Sequence, residues 1–210
     1  MAPDAGHVEI HLSRHQKTEV LGQVHGMLYL IEQFRPGRVF HVDSLSMESQ
    51  TVFSRASQYL ATPMEVAHGG GVFRTAVLPF DSTEANALYA LNDEVLKAFR
   101  MQYRASHSES ILGDQEGEFY FLETSSRVGG ADIAEMVEAS SGINLWREWA
   151  RIENAVARNE PYKLPKVKQH YAGLIVSLAR QPWPDTQSFT DKEIQWRMNK
   201  EHHVGFIVKA

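Results

Sequence analysis

One stretch decides how this chain folds: Phe119–Gly130, with the sequence FYFLETSSRVGG. An apolar run leads into a carboxylate, a hydroxyl and a guanidinium on alternate positions, and two glycines and a helical pattern follow. If residues 119–127 are extended, Glu123, Ser125 and Arg127 lie on one face of the strand. A carboxylate suits Mg²⁺ and an arginine suits phosphate. The pattern therefore indicates a metal–nucleotide site.

The start of this stretch and the residues before it together predict a β-hairpin. Tyr103–Leu112 and Glu118–Leu122 are strand-like, and the loop GDQEG at residues 113–117 lies between them. Symmetric pairing about that loop places Leu112 opposite Tyr120 and Glu109 opposite Glu123. Like charges directly opposed across a sheet are destabilising, and a divalent cation reverses the penalty. A register slip of one residue would put the two acids on opposite faces.

Two simpler interpretations of these charges stay open. Glutamate is mostly exposed in proteins, so Glu109 and Glu123 would then be solvated side chains on an open sheet face. Arg127 would be a structural partner for either glutamate. Against this, Gly129 and Gly130 lead into a helix, whose N-terminal amide groups favour anions.

Composition limits the classes of protein. The chain has 210 residues, 43% of them hydrophobic, which is enough for one large domain or two small ones. It has no cysteine, which excludes disulfides and thiolate metal sites. We find no apolar run long enough to span a bilayer and no signal sequence, so the cytoplasm is the expected compartment. The net charge of −5 with mixed signs argues against a nucleic-acid binder.

Periodicity predicts an α+β fold with a mainly antiparallel sheet packed with helices. A helix is predicted from the capping-box spacing of Asp81 and Glu84, with an apolar stripe formed by Leu88, Leu91, Val95 and Phe99. Residues 60–79 are predicted to be irregular. The other expected helices are 16–25, 131–139 and one capped by Asn144, with Leu145, Trp149, Ile152 and Val156 along one side. The other expected strands are His7–Leu12, Met27–Phe34, Val39–Leu45, Gln50–Tyr59, Tyr171–Ala179 and Val204–Val208.

These residues resemble the C-terminal part of an ATP-grasp domain of the carboxylate–amine ligase type. Its members carry a pattern close to H-x-E, a short hairpin, and E-x-N-x-R-x-G-G. Here His107-Ser-Glu109 and Glu123–Gly130 match that pattern in order. Upstream, Tyr29–Gly37 is similar to the family's hinge strand, and a strand with Val42-Asp43 follows. The resemblance runs from residue 27 to the end of the chain.

The resemblance implies a role for each matching residue. Glu109 and Glu123 would coordinate Mg²⁺, with Ser125 in the place of the family's metal-side asparagine. Arg127 would hold phosphate or an acyl-phosphate intermediate. Glu32 and the backbone of Gln33, Phe34 and Arg35 would meet the adenine of ATP. The implied reaction forms an acyl phosphate from ATP and a small-molecule carboxylate, which an amine, or sometimes a thiol, then attacks.

The chain departs from the family pattern in three places. Ser125 replaces asparagine, and Val39 stands where many members have a ribose-binding glutamate. The family also places an N-terminal domain and a lid subdomain with phosphate-binding lysines before the hinge strand. Here residues 1–26 are expected to be a lid remnant, with Lys17 as their sole lysine, and 27–210 the C-terminal subdomain. We therefore expect another copy or a partner chain to complete the cleft. The alternative is a truncated, noncatalytic nucleotide-binding or interaction module.

Other signals are weaker. His68–Gly71 resembles the oxyanion loop of esterases, but no G-x-S-x-G elbow accompanies it. These glycines more simply form a loop at the cleft edge, where the neighbouring Arg74 would contact substrate. Three histidines near the N-terminus have the spacing of a helical zinc face but lie in a strand-like segment. We expect His107 to support the site rather than bind metal, and Trp146 and Trp149 to be core residues. The histidines of that N-terminal set are His7, His11 and His15.

Overall fold

The computed structural model describes residues 33–113, 115 and 118–210. The chain divides after Pro36, and the unit Gly37–Ala210 contains every helix and strand given below. The predicted strand His7–Leu12, the predicted helix 16–25 and the boundary after residue 26 lie outside the described residues. The same is true of Lys17, of the three N-terminal histidines and of most of the predicted hinge strand.

The described residues form eight strands and four helices. The strands are β1 (Val39–Met47), β2 (Gln50–Tyr59), β3 (Phe73–Val77), β4 (Arg104–Leu112), β5 (Phe119–Ser125), β6 (Ala172–Leu178), β7 (Ile194–Arg197) and β8 (His203–Lys209). The helices are α1 (Pro63–Gly69), α2 (Thr83–Ala98), α3 (Ile133–Ser141) and α4 (Leu145–Arg158).

All eight strands belong to one sheet in the order β5-β4-β1-β2-β3-β6-β8-β7. Every neighbouring pair is antiparallel. The predicted α+β class with an antiparallel sheet is therefore confirmed. β4, β1, β2 and β3 are adjacent near the centre, although β4 follows β3 in sequence and pairs with β1, and these four strands carry the site described below.

The two faces of the sheet bury different cores. On one face Phe40, Val42 and Ala56 pack against Ala85 and Leu88 of α2. The opposite face carries the larger core, which includes residues of α3 and α4. Because side chains alternate along a strand, β1 contributes Phe40 and Val42 to the first face, and His41 and Asp43 to the second. None of the helices in the described part of the chain is long and apolar enough to cross a membrane.

The prediction that residues 60–79 are irregular is wrong, because this segment contains α1 and β3. Thr62 and Glu65 form a complete capping box at the start of α1. Pro63 follows in the first turn, where its missing N–H costs nothing. This proline therefore marks a helix start rather than a break. β7 was likewise not predicted.

The position and face of α2 also differ from the prediction. Ser82, not Asp81, is the N-cap, since its side chain accepts a hydrogen bond from the Ala85 amide. The buried positions are Ala85, Leu88, Asn92 and Leu96, and Phe99 is exposed. Asn92 Nδ2 donates to Ser44 Oγ at 2.9 Å, so a polar contact turns the helix away from the stripe that apolar residues alone suggest.

The two later helices agree with the prediction more closely. α3 ends at Gly142, which has φ of 75°, the left-handed conformation that favours glycine. Asn144 caps α4 by accepting a hydrogen bond from the Arg147 amide, as predicted. The prediction that Trp146 is a core residue is wrong, since 53% of it is exposed. Its ring stacks on Trp149, which is half-buried. Val156, predicted on the buried side, is also exposed, and Ala155 is buried instead.

Candidate functional site

The hairpin of β4 and β5 places Glu109 directly opposite Glu123, as predicted. The predicted pairing of Leu112 with Tyr120 is wrong, because Leu112 pairs with Phe119. A register irregularity between Glu109 and Ser110 absorbs the difference of one residue. Without this bulge the two carboxylates would point to opposite faces of the sheet.

Three of the predicted metal ligands share one sheet face. Ser125 pairs with His107 across the hairpin, two residues from the Glu109–Glu123 pair, so alternation puts all four side chains on the same side. The Glu109 side chain is 13% exposed, Glu123 is exposed and Ser125 is half-buried. Two carboxylates and a hydroxyl therefore lie together at the solvent boundary of the face that carries the larger core.

Arg127 is not carried onto that face by the strand. β5 ends at Ser125 and the chain bends at residues 126–127, so the expectation of an extended segment through 127 is wrong. Arg127 is exposed, and its Nη1 donates to the Val128 carbonyl at 3.0 Å. No ion pair joins Arg127 to Glu109 or Glu123 among the described residues. Its guanidinium therefore lies next to the hairpin without neutralising the glutamates.

Glu109 is held from within the sheet by two donors. The Tyr59 hydroxyl on β2 donates to Glu109 Oε1 at 2.7 Å, and His107 Nε2 lies 3.3 Å from the same oxygen. The described residues make no hydrogen bond to Oε2. One carboxylate oxygen is thus anchored, and the other is available to a ligand.

The anchor continues into the buried centre of the sheet through Asp43 on β1. Asp43 Oδ1 lies 2.9 Å from His107 Nδ1, and Asp43 Oδ2 lies 2.7 Å from His41 Nδ1. His41 Nε2 in turn lies 2.7 Å from the Thr75 hydroxyl on β3. Asp43 and His41 are fully buried. We call Thr75, His41, Asp43, His107, Glu109 and Tyr59 the buried network.

Charges within the buried network are set by burial and pairing. Burial alone would raise the pKa of Asp43, but the charge and hydrogen bond of His107 and the hydrogen bond of His41 lower it. Burial would lower the pKa of His107, yet Asp43 and then Glu109 raise it to about 10. His41 is different, since burial outweighs the Asp43 carboxylate and lowers its pKa. One imidazole is therefore protonated and the other neutral at neutral pH.

Glu109 and Tyr59 are fixed in complementary states. Burial would raise the pKa of Glu109, but hydrogen bonds from His107 and Tyr59 and the charge of His107 lower it. Burial, and then the charge of Glu109, raise the pKa of the Tyr59 hydroxyl, so Tyr59 remains a donor. Glu109 is consequently an anion with one oxygen engaged, which is the state that a divalent cation requires.

We expect the unfolding free energy to fall as the pH rises from 6.5 to about 10. In that interval folded His107 keeps a proton that the unfolded chain, with the ordinary pKa of 6.5, has lost. The slope for one such group is about 1.4 kcal/mol per pH unit. Its contribution is fully present below pH 6.5 and disappears above the folded pKa. Urea unfolding of wild type and His107→Gln across this interval measures the difference, and parallel curves would contradict the assignment.

Of the remaining predicted site residues, only Arg74 lies in the same unit as this face, Gly37–Ala210. Glu32 lies outside the described residues. Gln33, Phe34 and Arg35 precede β1 without regular structure, and Arg35 Nη2 donates to Gln33 Oε1 at 3.1 Å. Arg74 on β3 is exposed, and because its neighbour Thr75 contacts His41, Arg74 points to the opposite face from Glu109. There it lines a shallow hollow that includes Gly70, Gly71 and Ile175.

Two groups of side chains have donors that can hold a metal ion. Glu109, Glu123 and Ser125 offer hard oxygen donors, and the Glu109 carboxylate is ionised, which fits Mg²⁺. His41, Asp43 and His107 also bring three donor atoms within 4.8 Å of one another. They are buried, however, and each of these donor atoms already takes part in the hydrogen bonds of the network. We therefore interpret this second group as structural.

Four members of the buried network were missed in the sequence: His41, Asp43, Tyr59 and Thr75. The available signal was in β1, where His41 and Asp43 alternate with the apolar Phe40 and Val42 and so share one face. Gly129 has a role that the motif did not reveal. A Cβ atom on Gly129 would lie 2.7 Å from Asp43 Oδ1 and 2.9 Å from His107 Nδ1, so the backbone packs directly on their hydrogen bond.

Neither a protein-family profile nor a curated protein sequence matches this chain. Solved structures do. Phosphoribosylglycinamide synthetase from Anaerococcus prevotii has a TM-score of 0.61 at 17% identity, covering 85% of this chain and 49% of its own. An L-amino acid ligase from Bacillus licheniformis has a TM-score of 0.61 at 15% identity, covering 84% and 47%. Carboxyaminoimidazole ribonucleotide synthase from Aspergillus clavatus, solved with ATP, has a TM-score of 0.55 at 8% identity, covering 82% and 46%.

These likenesses establish the fold. The described part of the chain shares its fold with about half of each of these solved chains, in agreement with the predicted fold of the C-terminal part of an ATP-grasp domain. Identities this low leave the ligands and the reaction of this chain to be argued from its own residues.

Proposed function

We propose that this chain, which has the ATP-grasp fold, binds ATP with Mg²⁺ and takes part in activating a small-molecule carboxylate for attack by an amine. The observation that carries the proposal is the Glu109–Glu123 pair, opposed across β4 and β5 on one face. Like charges directly opposed across a sheet repel each other, and a bound divalent cation would remove that repulsion. The low pKa of Glu109 keeps that side chain ionised and able to bind the cation.

In this proposal each residue has a separate task. Glu109 and Glu123 would hold Mg²⁺, and the Ser125 hydroxyl would reach the ion or a water on it. Arg127 is exposed beside the hairpin and would bind phosphate oxygens. Glu32 and the backbone of Gln33–Arg35 would meet adenine. The ion supplies charge neutralisation for phosphoryl transfer, a reaction that depends on positioning more than on a side-chain nucleophile.

This chain spans about half the length of the solved chains it resembles. We propose a partner chain or a second copy as a further contributor to the nucleotide cleft. The alternative function, a noncatalytic nucleotide-binding or interaction module, is favoured by Arg127, which the strand does not carry onto the face of the glutamates. Phosphate release from ATP in the presence of carboxylates and amines separates these two functions, because a noncatalytic module releases none.

The Glu123→Ala variant is expected to lose Mg·ATP binding, because it removes one of the two carboxylates that would hold the ion. Isothermal titration calorimetry of Mg·ATP into wild type and variant measures the loss. Glu94→Ala is the matched control, since Glu94 is an exposed glutamate on α2. Wild-type binding that Glu123→Ala leaves unchanged would overturn the assignment of the metal site.

A further inference from the structure

We propose that Tyr59 and His107 are positioning residues that fix the Glu109 carboxylate for the metal, with Asp43 and His41 holding His107 in place. This inference rests on the proposed function, because it names the residues that prepare its metal ligand. Tyr59 and His41 lie outside the sequence features on which the resemblance rests.

One oxygen of Glu109 is engaged within the protein, and the other is left for the ion. Both donors, the Tyr59 hydroxyl and His107 Nε2, approach Oε1, at 2.7 and 3.3 Å. Two donors on one oxygen fix the plane of the carboxyl group, and the described residues leave Oε2 without a hydrogen bond. The carboxylate thus has one structural oxygen and one ligand oxygen.

Contacts with other residues keep the two donors, His107 and Tyr59, in place. His107 is 5% exposed, and its other nitrogen is 2.9 Å from Asp43 Oδ1, so its ring cannot rotate without breaking that contact. Asp43 is held by His41 on its second oxygen at 2.7 Å. The Tyr59 ring packs on His41 at 4.6 Å and on Phe73 at 5.7 Å between centroids. Each donor is therefore fixed by a contact that does not involve Glu109.

The adjacent strands of the sheet make the buried network rigid. The members of the buried network lie on β1, β2, β3 and β4, which are adjacent in the centre of the sheet. Paired strands hold such side chains more accurately than loops. Partners that orient a metal ligand typically change metal affinity 10- to 100-fold when they are removed. The buried network has the contacts expected of such partners.

The Tyr59→Phe variant tests the inference, because it removes the hydroxyl and keeps the ring that packs on His41 and Phe73. We expect Mn²⁺ affinity, measured by electron paramagnetic resonance with ATP present, to fall about 10-fold or more. The spectrum of bound Mn²⁺ should also broaden, which a purely structural role would not cause. Tyr162→Phe is the matched control, because the Tyr162 hydroxyl donates to the buried Glu148 at 3.1 Å, away from this site.

Two substitutions of His107 provide a rescue test. Glutamine places an amide near the position of Nε2, which contacts Glu109, whereas asparagine places one near Nδ1, which contacts Asp43. If positioning of Glu109 is the role, His107→Gln keeps more Mn²⁺ affinity than His107→Asn. Circular dichroism confirms that both variants are folded at the temperature of the titration.

The outcomes separate this inference from the proposed function. Wild type that binds no Mn²⁺ with ATP overturns both. If wild type binds Mn²⁺ with ATP, Glu123→Ala does not, and Tyr59→Phe binds it with unchanged affinity, only the positioning role is overturned. A loss in Tyr59→Phe that Tyr162→Phe does not share, together with the better affinity of His107→Gln, supports it.

Discussion

Replacing Gly129 by alanine is expected to destabilise the protein by about 2–4 kcal/mol and to abolish metal binding. The new Cβ would lie 2.7 Å from Asp43 Oδ1, 2.9 Å from His107 Nδ1 and 3.1 Å from Ile133 Cγ2. Real Cβ atoms do not approach other atoms this closely, so either the backbone before α3 moves or the Asp43–His107 hydrogen bond opens. Urea unfolding and the Mn²⁺ titration with ATP measure the two effects.

Gly130→Ala is the matched control for this substitution. It adds the same atom one residue later, where the new Cβ would meet nothing within 4 Å. We expect its unfolding free energy to remain within about 0.5 kcal/mol of wild type. If Gly129→Ala destabilised the protein equally little, our conclusion that this backbone packs closely on the buried network would be wrong. The comparison also separates steric overlap from the general entropic effect of replacing glycine.

The pairing of Glu109 with Glu123 could be predicted because the hairpin is local. The two strands are adjacent in sequence, and a loop flanked by apolar runs sets an approximate register. The prediction of the Glu109–Glu123 pair succeeded although the pairing nearest the loop was wrong by one residue. A bulge compensates, and nothing in the residues around Ser110 distinguishes a bulged from a regular ladder. The correct face therefore depended on a feature that the sequence does not reveal.

The fold class was predictable from periodicity, whereas the details of individual helices were not. The stripe assigned to α2 used apolar residues alone. In the structure the buried face includes Asn92, which bonds Ser44 on a strand 48 residues away in sequence. A local pattern contains no information about such a partner. α1 is a different case, since Thr62, Pro63 and Glu65 carry a recognisable helix-start signal that the prediction of an irregular segment overlooks.

The buried network could not be assembled from the sequence. Tyr59, Thr75 and His107 meet only because β4, β1, β2 and β3 become neighbours in the sheet. That order depends on long-range pairing, which periodicity does not specify. Its chemistry was partly visible, however. A histidine and an aspartate two residues apart in a buried strand require partners, because an unpaired buried charge is too costly to retain.

Asp43→Asn is expected to lower the unfolding free energy by about 3–5 kcal/mol, although the side chain keeps its size. The carboxylate accepts from His107 on Oδ1 and faces His41 Nδ1 with Oδ2, at 2.9 and 2.7 Å. An amide has one oxygen, so it can accept from only one imidazole and must direct its NH₂ group at the other. The protonated His107 also loses the anion that raises its pKa. Urea unfolding at neutral pH measures the change.

The exposed Asp185 provides the control for this substitution. Its Oδ1 accepts one hydrogen bond from the Gln187 amide at 2.9 Å, and an asparagine there can still accept it. Asp185→Asn should therefore cost little. In the double variant Asp43→Asn/His107→Gln the loss should be smaller than the sum of the single losses, because the buried cation is gone. Strict additivity would mean that Asp43 and His107 do not act as a pair. In that case Asp43 would not hold His107 in place, and the orientation of Glu109 would not depend on Asp43.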